Sequence, residues 1–122
     1  MNPAVVASTP ASRALIASGA VLAATGIALS ACAAHGGGED KASLQTAALF
    51  AFGHGIALAA LAPTAMRALA RSALAMLLLG VLLFAGSLTA AHFHGLPTTL
   101  APFGGGLMIL AWLVFAADAL RR

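Results

Sequence analysis

Four stretches of the chain, Ala14 to Ala34, Ser43 to Ala62, Ser72 to Ala91 and Leu100 to Ala117, run without a single Lys, Arg, Asp or Glu. Each approaches the roughly 20 mostly apolar residues that a helix needs to cross about 30 Å of hydrocarbon. Four spans take up about 80 residues, and in a chain of 122 the remainder is tails and short loops. No separate soluble domain fits. Only 7% of residues are charged, against about 25% in soluble domains, too few to clothe a water-exposed surface.

In lipid the backbone must satisfy its own polar groups, which a helix does internally and a lone strand cannot. The alternation of a membrane barrel is absent. The expected fold is all-α: a membrane-embedded four-helix bundle with both termini cytoplasmic. A single transmembrane domain over residues 14–118 lies between an irregular N-terminal tail, 1–13, and a basic C-terminal tail, 119–122.

The breaks are of three kinds. His35 to Lys41 carries three glycines and three charges, a turn composition. Pro63 ends the second run, and Arg67 and Arg71 follow in the connection, one helical turn apart. His92 to Pro97 forms the third break. Sidedness follows from Lys and Arg, which gather on the cytoplasmic side. Arg13, Arg67, Arg71, Arg121 and Arg122 fall on one side, while the other has only Lys41, beside Glu39 and Asp40. The net charge of +3 therefore reads as membrane orientation. With basic residues scattered singly or in pairs and no basic stripe to meet phosphates, nucleic acid is not an expected partner.

Small residues indicate how the helices pack, because association in lipid relies on close approach. Gly19 and Gly26 are seven apart in the first span, as are Ser18, Thr25 and Cys32, giving a seam along one face. Gly80 and Ser87 repeat the spacing in the third. Gly104, Gly105 and Gly106 in the fourth mark close backbone contact.

Four stretches together resemble the YgdD-like family of small bacterial inner-membrane proteins, a domain-of-unknown-function family with animal relatives. They are Ala33-Ala34-His35-Gly36, Gln45 to His54 (Gln-Thr-Ala-Ala-Leu-Phe-Ala-Phe-Gly-His), Phe84-Ala85-Gly86-Ser87-Leu88, and Pro102-Phe103-Gly104-Gly105 followed by Trp112. The likeness runs from about Leu15 to Ala117. It implies four spans and a multi-pass location in the bacterial inner membrane, and no reaction. The family usually has tyrosine at the position of Phe50 and often an aromatic at that of Thr89. This chain has no tyrosine, so a role needing those phenols does not carry over.

His54 is the sharpest candidate for chemistry. It lies near the middle of the second span, where ionisable residues are rare and often functional. It could relay a proton, bind a ligand or ligate a metal. The structural alternative is a neutral imidazole bonded across helices to Ser87, Thr25 or a carbonyl. His35, His92 and His94 share the outer face with Glu39 and Asp40 and form a candidate metal set, since three imidazoles suit zinc. The bland reading is interfacial histidines, and no cofactor is expected.

Cys32, the only cysteine, excludes an internal disulfide. Leu29-Ser30-Ala31-Cys32 after an apolar run also fits a lipoprotein signal, but three further spans follow, so the first helix is read as retained. Asp118 with Arg121 and Arg122 reads as a local ion pair.

The favoured function is a non-enzymatic accessory or envelope-maintenance component that works through helix contacts. Its expected partners are the bilayer and, through those contacts, further copies of the chain or a larger membrane complex. One alternative is a small transporter or channel using His54 as a proton or ligand site, although no acidic residue lies in any span before Asp118. The other is a metal- or haem-binding protein, although the histidines do not sit at matched depth.

Overall fold

The computed structural model describes residues 9–36 and 41–121. Among these the chain forms four helices and no strand: α1 (Pro10–His35), α2 (Lys41–Leu61), α3 (Ala68–His94) and α4 (Ala101–Leu120). All four are long and apolar enough to cross a membrane. The chain is a multi-pass membrane protein and its fold a helical bundle. The glycine-rich turn with Glu39 and Asp40, the first eight residues and Arg122 lie outside the described residues.

The helices are longer than their uncharged cores. α1 starts at Pro10, not after residue 13, because Thr9 caps it. The Thr9 hydroxyl accepts the Ser12 N–H at 3.2 Å, and Pro10 occupies a first-turn position where its missing N–H costs nothing. α2 tightens into a short 3-10 turn, Ala62–Thr64, since Pro63 cannot donate to an α-helical ladder. α3 begins at Ala68, so Arg71 belongs to its first turn while Arg67 is its N-cap. Nor does α3 break at His92. It continues to His94 and stops at Gly95, whose φ of 65° is the left-handed stop that glycine adopts at least cost.

Two tight hairpins make up the bundle. α1 packs chiefly on α2 and α4 chiefly on α3, and the hairpins meet through α2 and α3. α1 and α3 touch only sparsely. Leu58, Leu74, Leu77 and Val81 fill the centre.

Each hairpin closes on a reciprocal glycine pair. A Cβ placed on Gly19 would lie 2.6 Å from the Gly55 carbonyl oxygen, and one on Gly55 would lie 2.5 Å from that of Gly19. In the other hairpin, a Cβ on Gly80 would fall 3.0 Å from the Gly104 oxygen, and one on Gly104 2.7 Å from that of Gly80. Gly26 is equally close, with the Phe52 nitrogen 2.6 Å from its would-be Cβ. Backbones approach this nearly only where no side chain intervenes.

The seam in α1 is narrower than its spacing suggests. Gly19 and Gly26 are buried against α2, whereas Thr25 and Cys32 are exposed and Ser18 half-buried. At 100° per residue, Ser18 and Thr25 are rotated out of the contact that Gly19 and Gly26 make. The glycine triplet of α4 is likewise not uniform. Gly104 makes the close approach, Gly105 meets only the Phe84 ring at ordinary distance (3.7 Å), and Gly106 faces open space.

The antiparallel course gathers Arg13, Arg67, Arg71 and Arg121 at one end of the bundle. Two interhelix contacts fasten that end. The buried Ser12 hydroxyl donates to the Ala62 carbonyl at 3.0 Å. Arg67 stands 3.8 Å from Asp118, which is 1% exposed.

A candidate intramembrane site around His54

Near the centre of its span, α2 presents Phe50 and His54 one turn apart, on the side away from the Gly55 contact. The His54 ring lies 5.6 Å from the Phe50 ring and almost parallel to it, at 8°. Phe50 in turn packs on Phe84 of α3 at 4.8 Å. From α4, Trp112 reaches the same place, 6.0 Å from His54 between centroids, and Phe115 stands edge-on to Trp112. The imidazole thus sits between rings of α2 and α4, and Phe84 of α3 backs the first of them.

Its hydrogen bonds select one tautomer. Nδ1 is 3.0 Å from the Phe50 carbonyl oxygen, which can only accept, so Nδ1 carries the hydrogen. Nε2 is 3.2 Å from Trp112 Nε1, which can only donate, so Nε2 offers its lone pair. Both bonds are satisfied by the neutral tautomer with hydrogen on Nδ1. An imidazolium would set two N–H groups against each other. The carbonyl partner lies one turn back in His54's own helix, not across helices as the sequence suggests, and the bond that does cross helices goes to Trp112, which the sequence does not identify.

Ser87 and Thr25 are not among those partners. The Thr25 hydroxyl donates to the Val21 carbonyl at 2.8 Å, within its own helix. Ser87 is buried and, among the described residues, its hydroxyl has no hydrogen-bond partner. Lying two turns beyond Gly80, it falls on the α3 face toward α4. Beside the imidazole a shallow lateral recess of 270 Å³ is lined by Leu49, Phe50, Gly53, His54 and Trp112.

His35, His92 and His94 all lie at the end of the bundle opposite the arginines, at the last turns of α1 and α3. Sharing an end does not make them a site. Because α3 remains helical through His94, His92 and His94 are turned about 200° apart around its axis and cannot converge. Among the described residues no three His, Cys, Asp or Glu side chains group closely enough to hold a metal ion. Glu39 and Asp40 lie outside them.

Asp118 is not only a neighbour of Arg121 in sequence. It is buried and faces Arg67, linking the C-terminal turn of α4 to the N-cap of α3. This contact was missed because a helix-end Asp beside two arginines already has a local explanation. Trp112 was missed for another reason. The chain's only tryptophan lies near the middle of α4 as His54 does of α2; its place in the family resemblance marks it as notable, but only matched depth points to His54 as its partner.

A family model described as "Protein of unknown function (DUF423)" matches residues 29–105. The matched segment holds His54, Phe50, Phe84 and three of the four paired glycines, Gly55, Gly80 and Gly104, while Gly19 and Trp112 fall outside it. No curated protein and no solved structure matches the chain.

Proposed function

This chain belongs to the DUF423 family of proteins of unknown function, and from that premise we propose that it is a non-enzymatic accessory or envelope-maintenance component of the bacterial inner membrane, acting through helix–helix contacts. The observation that carries this reading is the state of His54. Both of its nitrogens are engaged inside the chain, by Phe50 and Trp112, so the one ionisable side chain at mid-span is used as a strut between α2 and α4.

The remaining span chemistry supports the same reading. Thr25, Thr46 and Thr89 turn their hydroxyls back to carbonyls four residues earlier. The outer surface is left to large apolar side chains such as Val21, Leu49, Phe103 and Leu113, which suit lipid and other helices. The clustering of Arg13, Arg67, Arg71 and Arg121 at one end favours that end, with both termini, on the cytoplasmic side.

Proteoliposomes separate this proposal from transport. Vesicles holding the purified chain should show no proton or cation flux above empty vesicles. A flux that His54→Ala abolishes would overturn the accessory reading and make His54 the working group of a transporter.

A further inference from the structure

α1 and α3 run parallel to each other, both leaning on α2, and their sparse contact leaves a groove between them. Its walls follow one heptad face of each helix: Leu15, Ser18 and Leu22 from α1, and Ala75, Leu78 and Leu82 from α3. Three recesses lie along it, of 360 and 480 Å³ toward the arginine end and of 410 Å³ beyond them, lined by Leu29, Ala85 and Thr89 among others. The groove's mouth, at the arginine end, is formed by Arg71 and Ser72.

We propose that this groove binds one anionic glycerophospholipid, with its phosphate on Arg71 and one acyl chain lying between α1 and α3. Charge identifies the occupant. Arg67 is committed to Asp118, whereas among the described residues Arg71 has no carboxylate partner. Arg71 also stands in the first turn of α3, a 27-residue helix whose N-cap supplies no side-chain hydrogen bond and whose first turn holds no acidic residue. The unpaired N–H groups and positive dipole end there add to the attraction for a phosphate. Basic pockets between transmembrane helices on the cytoplasmic side are typical anionic headgroup sites.

The lipid takes the half of the groove nearest Arg71. From Arg71 to Leu82 that half runs about 16 Å along α3, close to half of a hydrocarbon core of about 30 Å and so within reach of one lipid tail, while the groove itself continues between the two helices past Thr89 to His94. A transmembrane helix seated there would instead meet an uncompensated arginine at its end.

The full chain, purified in mild detergent, is titrated with phosphatidylglycerol or phosphatidylcholine and read by native mass spectrometry. One phosphatidylglycerol per chain should be retained in preference to phosphatidylcholine. Arg71→Gln should lower that preference about fivefold, the share of one arginine near an anionic surface, while Arg13→Gln leaves it unchanged. Ala75→Leu changes no charge and sits on an exposed face, yet fills the groove and should remove the adduct. Equal retention of the two lipids by the unmodified chain overturns the proposal. So does an adduct unaffected by either Arg71→Gln or Ala75→Leu, or a dimer that forms in place of the lipid adduct.

Discussion

Trp112 donates its indole N–H to Nε2 of His54 at 3.2 Å, and this is the polar tie between α2 and α4, two helices that otherwise barely touch. Because the Phe50 carbonyl takes the other ring nitrogen, the imidazole has no freedom to exchange donor and acceptor roles without losing one of its bonds.

Replacing His54 with leucine leaves the indole N–H facing apolar surroundings. Interhelix bonds in membranes are worth about 0.6–2 kcal/mol, so His54→Leu should lower unfolding stability in detergent by that order, and His54→Gln by less. A double-mutant cycle with Trp112→Phe should return a coupling of about 0.6–1.7 kcal/mol. Trp112 is the only tryptophan and the chain has no tyrosine. Emission therefore reports on the surroundings of Trp112 alone, which include His54 and Phe115, and should change in His54→Leu while helix content by circular dichroism does not. Zero coupling would show the bond to be incidental.

The glycine pairs predict opposite signs for one substitution. Gly19→Ala or Gly104→Ala drives a methyl to within 2.6 or 2.5 Å of facing backbone. Overpacking of this kind costs about 1–3 kcal/mol, more than the up to about 1 kcal/mol that alanine gains over glycine in a helix. Both variants should unfold at lower temperature. Gly53→Ala and Gly106→Ala meet nothing within 4 Å and should be neutral or slightly stabilising. Thermal melts of the four variants in one detergent test the contrast, and indistinguishable melts would mean the helices do not approach as closely as described.

How far the sequence foretold this arrangement depends on which interaction decides each feature. The four spans were legible because hydrophobic length is a property of single segments, as was the stacking of Arg13, Arg67, Arg71 and Arg121 at one end, which alternation alone ensures. Helix ends were less so. His92-Phe93-His94 looked like a break, yet its glycine stop acts one residue later, at Gly95. Spacing singles out Gly19, Gly26 and Gly80, and the glycine triplet singles out Gly104, but nothing marks Gly55, since only a known neighbour reveals why it must be bare. The same limit hid Trp112. His54 announced itself by being ionisable in mid-span, whereas its partner depends on how the two hairpins meet, which apolar faces of similar composition do not encode.

The Arg67–Asp118 contact should matter more than an ordinary surface pair. Asp118 is 1% exposed and Arg67 47%, so removing the guanidinium leaves a buried carboxylate with less compensation. Fully buried pairs lose about 3–5 kcal/mol when one partner is removed, and exposed ones about 0–1 kcal/mol. With one exposed member and a separation of 3.8 Å, Arg67→Gln should fall between them, at about 1–3 kcal/mol. Asp118→Asn, which removes the buried charge itself, should cost less. A larger loss in Asp118→Asn than in Arg67→Gln would show that the carboxylate serves its neighbours by a route other than this pair.

Sidedness should follow the arginines. Arg13, Arg67, Arg71 and Arg121 share one end, and short loops rich in Lys and Arg stay cytoplasmic. In a Cys32→Ala background, Leu96→Cys lies in the exposed α3–α4 connection at the opposite end. It should be labelled in intact cells by a maleimide that cannot cross the membrane. A cysteine at Met66, exposed beside Arg67, should be labelled only after the membrane is opened. A charge-dependent topology can also be weakened deliberately: Arg67→Gln with Arg71→Gln removes two of the four described orienting charges and should make the Met66 position partly accessible from outside. Labelling of Met66→Cys but not Leu96→Cys in intact cells would place both termini outside and would move the proposed lipid site to the opposite leaflet.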